Sequence, residues 1–169
     1  MAEVKNYEDL MKKIEDIKKE GKIDLSVDED LSIAIMNLIS LEEHFFFTAE
    51  KTGKDEYYKL LETIREMRKE FLGMMIKQYE GEVWCISKHL LATSMRLMEV
   101  GTKMQSHGQP DLAKNMFHKS YELFKLFFSL RLNLITIPDI KRENDKKNNP
   151  DKAWTKEEIM NQLLDCCKE

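Results

Sequence analysis

The sequence predicts an all-α fold: an antiparallel up-and-down four-helix bundle with a short N-terminal helix and a tethered C-terminal helix. Three observations carry the prediction. Gly (6) and Pro (3) are scarce in 169 residues, so the chain has few places to turn and must use long elements. Apolar residues recur at three-and-four spacing through four long stretches, the period of a helix buried along one face. Tight connections join these stretches, which makes consecutive helices antiparallel. The length fits one domain, and the 42% hydrophobic and 34% charged content fits amphipathic helices with solvated outer faces.

The first, short helix is expected over Asn6 to Glu20, with Tyr7, Leu10, Met11, Ile14 and Ile17 on one face and Gly21 as its stop. Ser26-x-x-Glu29 has the form of a capping box, in which a side-chain oxygen accepts from free backbone N–H groups. It opens a helix from about Asp28 to Lys51. Leu31, Ile35, Leu38, Phe45 and Ala49 form its stripe, and Glu42 sits inside that stripe. Thr52-Gly53-Lys54 ends it. The next helix, about Asp55 to Tyr79, carries Tyr57, Leu61, Ile64, Phe71 and Met75 on one side.

The stretch from Gly81 to Gly108 is the longest helical pattern without an internal breaker. Val83, Ile86, Leu90, Leu97, Gly101 and Met104 line it, widened by Trp84, Leu91, Met95 and Met98, with Glu82, Cys85, His89, Thr93 and Arg96 along one flank. After Gly108, Pro110 opens another helix near its first turn, where the missing N–H costs nothing. That helix holds Ala113, Phe117, Phe124, Phe127 and Phe128 and is expected to run as far as Pro138. Residues 138–153 have no apolar period and read as a flexible linker. It divides a bundle domain, residues 1–137, from a C-terminal helix, residues 154–169, which opens on a second capping box, Thr155-x-x-Glu158.

Composition removes several function classes. A net charge of −4 argues against a general nucleic-acid surface. No run of about eighteen apolar residues offers a membrane span. The N-terminus, MAEVKNYEDL, lacks the basic-then-apolar order of a signal peptide. With three cysteines, Cys85, Cys166 and Cys167, no CxxC and no export signal, a cytoplasmic protein with reduced thiols is expected.

Around one turn, Val100-Gly101, Gly108, Ala113, Phe117 and Ser120 resemble the small-and-large spacing of a tetratricopeptide repeat. In that family the small residues let two helices cross closely. The likeness covers one repeat, about Leu97 to Phe127, and Lys125 stands where the helix-ending proline would be. A solenoid needs about three repeats, so the likeness is read as hairpin geometry. The long helices also resemble a ferritin-type carboxylate bundle, but that family's Glu-x-x-His ligand pairs do not occur in this chain.

Three side-chain sets are candidate sites. Counting the 1.5 Å rise per residue from the expected helix ends places Glu42 level with Arg65 and Arg96. Two guanidiniums around one carboxylate would either hold a ligand anion or form an internal ion-pair network that fixes helix register. Cys85 and His89 stand one turn apart beside Glu82 and could share a divalent metal, or act as a thiolate–imidazole pair; a buried thiol beside a hydrogen-bonded histidine is the plainer reading. The same counting brings His44 level with Glu99, near Thr63 and His118, as a second set of metal-type ligands.

A fourth set is apolar. Phe45-Phe46-Phe47 covers nearly half a helix circumference, so part of it must lie outside the internal stripe, and the same holds for Phe127-Phe128. Phe46, Phe47 and Phe128, with Trp154, Ile159 and Leu163 of the terminal helix, are therefore candidate interaction residues on a methionine-rich surface. The expectation is a non-enzymatic interaction protein, self-associating or with a protein partner, and with no cofactor. No nucleophile–base–orienter set is visible. The alternative is a bundle that binds a small anion or a divalent metal.

Overall fold

The computed structural model describes residues 11–12, 15–16, 19, 25–76 and 82–135, with Glu82 described by its backbone alone. The fold is all-α. Four long helices follow in order: α1, Leu25–Thr52; α2, Glu56–Met75; α3, Glu82–Ser106; and α4, Pro110–Arg131. No strand occurs among the described residues, and none of their helices is long and apolar enough to cross a membrane. The described positions of the short N-terminal helix are helical; the linker and the C-terminal helix lie outside the described residues.

Two tight turns make two antiparallel hairpins, α1 with α2 and α3 with α4. Gly53 (φ 65°) and Gly108 (φ 73°) turn the chain through the left-handed region, where a side chain would be strained. Gly53 N–H closes α1 on Ala49 O at 2.8 Å, and Gln109 N–H closes α3 on Met104 O at 3.0 Å. α4 stops at Arg131, several residues before Pro138. Asn133 takes φ 54° there and ends the helix as a left-handed cap. Leu134 and Ile135 therefore lie beyond α4. Ser26 already lies inside α1, so it is not the capping residue, and α2 ends at Met75, with Ile76 extended.

The hairpins meet through α1 and α3. Arg131 at the end of α4 bonds Asp28 near the start of α1 (Nε to Oδ2, 3.0 Å), and Arg96 of α3 reaches Glu43 of α1. α1 and α3 consequently run parallel, at matching levels. The core gathers Ile35, Leu72, Met75, Trp84, Leu91 and Phe127, all fully or almost fully buried.

The α3–α4 contact is closer than large side chains would allow. α3 turns Trp84, Ser87, Leu91, Ser94 and Gly101 inward. Ser94 and Ser120 each donate to the other's backbone carbonyl, at 2.9 and 2.7 Å. A Cβ on Gly101 would stand 2.6 Å from the Phe117 ring, and Ala113 is 2% exposed. The close crossing implied by the repeat-like spacing is thus realised in this hairpin. Met98, on the sequence's broad stripe, is exposed instead, as is Val100, because serines and glycine share the inner face.

Candidate functional site

α1 supplies one wall of a groove of about 620 Å³, and α3 supplies the other. Asn37, Leu41, His44, Phe47 and Lys51 line it from α1, at spacings that keep them on one side of that helix. Arg96 and Glu99 line it from α3, and Glu43 lies beside them. Arg96 donates to Glu99 Oε2 at 2.5 Å and to Glu43 across the helices. Burial opposes its charge, but the hydrogen bond and charge of Glu43, with those of Glu99, outweigh this and raise the guanidinium above its ordinary range. Arg96 is thereby held between two carboxylates. The trio carries a net negative charge, which Lys51 on the same groove offsets.

Of the residues expected around Glu42, Arg65 is there and Arg96 is not. Arg65 Nε donates to Glu42 Oε2 at 3.2 Å. The second guanidinium is that of Arg68, which donates from Nε to Oε1 at 2.8 Å and from Nη2 to Oε2 at 3.2 Å. Glu42 faces α2, whereas its neighbour Glu43, about 100° round the helix, faces α3 and takes Arg96. The Arg68 side chain is 2% exposed and that of Arg65 is 44% exposed. The cluster is therefore a buried fork-to-carboxylate pair with a surface arginine at its edge, a geometry that fixes the level of α1 against α2.

Cys85 is buried in the core and His89 is exposed, so the two point into different surroundings. The Glu82 side chain lies outside the described part. Among the described residues no three His, Cys, Asp or Glu side chains stand close enough to hold a metal. His44 and Glu99 do share the groove. His118 lies outside the groove, with Nε2 at 3.2 Å from Glu122 on the exposed face of α4, and Thr63 donates to Lys59 O.

Phe46 and Phe47 are 44% and 48% exposed, their rings edge to face at 5.3 Å. Phe45 is half-buried. Phe128 is half-buried too, packed edge-on against Phe124 and Phe127. Trp154, Ile159, Leu163 and the cysteines 166 and 167 lie outside the described residues.

Two buried charges escaped the sequence reading. Arg68 was legible: it occupies the gap between Ile64 and Phe71 in the apolar stripe expected for α2, as Glu42 does in α1. A cation and an anion each filling one apolar slot on consecutive antiparallel helices is a signal for a pair. Asp28 was not, since its partner Arg131 is 103 residues away. The chain matches no protein-family model, no curated protein and no solved structure.

Proposed function

We propose that this chain is a non-enzymatic helical interaction protein that docks a second copy of itself or another protein along the α1–α3 groove, with Phe46 and Phe47 as the apolar anchors. The exposure of these two adjacent rings is the observation that carries the reading. Each leaves nearly half of its surface in water, and large aromatics in a partly desolvated patch are the side chains that dominate interface energies. The groove beside them supplies the polar rim such a patch needs, through Asn37, His44 and the ion-paired Glu43, Arg96 and Glu99.

The test is sedimentation of the purified full chain over a range of concentrations, beside Phe46→Ser and Phe47→Ser. Both positions are exposed, so the variants should melt like the parent. Self-association that weakens in both variants supports docking through the patch. Self-association unchanged in both places the interface elsewhere. A chain that stays monomeric and captures no partner sinks the reading. Stoichiometric metal in elemental analysis would favour the ligand-binding alternative.

A further inference from the structure

We infer that the outer flank of α2 is a helix-docking seam and that its occupant is this chain's own N-terminal segment, residues 7–17. The inference is independent of the α1–α3 groove. Leu60, Met67 and Met74 follow one another at seven-residue steps along α2 and are 45%, 41% and 48% exposed. Ile64 and Phe71 stand between them, half-buried. Scattered exposed apolar side chains need no explanation. Three in one line at heptad steps do, with half-buried Ile64 and Phe71 filling the four-and-three spacing between them, because that is the seam pattern of paired helices.

The occupant is identified by spacing, register, charge and reach. Tyr7, Leu10, Ile14 and Ile17 run at steps of three, four and three. Ile64, Met67, Phe71 and Met74 run at the same steps, each 57 residues after its counterpart. Because the segment precedes α1 through a short connector, as α1 precedes α2, it would run parallel to α2, and parallel helices in this register set the four pairs face to face. Met11, Lys12, Glu15, Asp16 and Lys19 are helical and exposed, with Lys19 Nζ 3.4 Å from Glu15 on the outer side. Four of the five are polar, and Met11, the one member of the apolar face among them, is 38% exposed. The register also places Lys18 at the flank position opposite Glu70, opposite charges where paired helices use them.

Reach is sufficient. The Glu42–Arg68 pair sets Met74 level with Met36, about 16 Å above Leu25 at the helical rise. With Ile17 at that level and the segment about 13 Å from the α1 axis, because it packs about 9 Å from α2 at a right angle to the α1–α2 contact, Glu20 and Leu25 stand roughly 17 Å apart. The five steps between them extend to about 17 Å. Area decides for a tethered occupant over a second copy. A stable interface between molecules needs about 800 Å² per partner, more than one edge of a 20-residue helix offers. A segment linked by a short connector docks at an effective concentration in the millimolar range and needs less.

The test is disulfide trapping in the full chain, with Cys166→Ser and Cys167→Ser added and Cys85 kept because it is buried. Leu10→Cys with Met67→Cys, and separately Ile17→Cys with Met74→Cys, should each form an intrachain bridge under mild oxidation, located by peptide mass mapping. Leu10→Cys with Leu60→Cys, about 10 Å out of register, lies beyond disulfide reach and should stay reduced. Failure of both in-register pairs to close overturns the inference, as does equal trapping out of register. Bridges formed only between molecules would assign the seam to a second copy and overturn it as well.

Discussion

Glu42→Ala removes the carboxylate that Arg68 Nε and Nη2 bond, at 2.8 and 3.2 Å, while the Arg68 side chain is 2% exposed in the parent. Removing one partner of a buried ion pair costs about 3–5 kcal/mol, because the remaining charge stays desolvated. The lost contact to Arg65, whose side chain is 44% exposed, adds at most about 1 kcal/mol after screening by solvent. A loss of about 3 kcal/mol is therefore expected, a large part of the roughly 5–15 kcal/mol that holds a domain together. In urea melts, with a slope of about 1.5 kcal/mol per molar, the midpoint should fall by about 2 M. Adding Arg68→Met should recover part of that loss, since an apolar pair of similar volume tolerates burial better than a buried cation that has lost this carboxylate. Arg65→Ala alone should cost no more than about 1 kcal/mol. A Glu42→Ala loss below about 0.5 kcal/mol, or one equal to that of Arg65→Ala, would refute the assignment of Arg68 as the buried partner.

The two helical glycines should respond oppositely to alanine. At Gly101 a Cβ meets the Phe117 ring at 2.6 Å, so Gly101→Ala should destabilise by about 1 kcal/mol net, the overlap outweighing the gain in helix propensity. At Gly73 a Cβ meets nothing within 4 Å, and thermal melts of Gly73→Ala should show a gain of about 0.5–1 kcal/mol. The Ser87 hydroxyl is fully buried with no hydrogen-bond partner among the described residues. Ser87→Ala should therefore leave stability unchanged or raise it by up to about 1 kcal/mol, whereas a clear loss would reveal a bond. Asp28→Ala should cost about 2 kcal/mol in denaturant melts by removing the charged hydrogen bond from Arg131, whose side chain is 12% exposed, and an exposed pair would show almost nothing.

The amino-acid sequence by itself determined the helices and where they turn. Three-and-four spacing and a handful of glycines are local properties, read by each stretch of backbone without reference to the rest of the chain. The end of α4 is an exception at the same scale: Pro138 looked like the stop, but a left-handed Asn133 acts sooner. Level along the bundle was legible too, because helical rise is constant. Counting it placed Arg96 level with Glu42, one residue from Glu43, the carboxylate it meets. Arg68 was also within reach of the sequence, as a cation filling an apolar slot.

What the sequence did not determine is azimuth, meaning which neighbour lies on which side of a helix. Glu42 and Glu43 are adjacent in the chain, yet one is buried against Arg68 and the other half-exposed against Arg96, since 100° of rotation turns them toward different helices. The same rotation buries Cys85, exposes His89 and puts Ser87 and Ser94 beside Leu91 on the inner face of α3. Each of these outcomes depends on how closely two helices approach and on which side the third stands. Those distances are set by the whole packed arrangement, through contacts such as Gly101 with Phe117 and Asp28 with Arg131 that join positions far apart in sequence. Only the tertiary structure decides them.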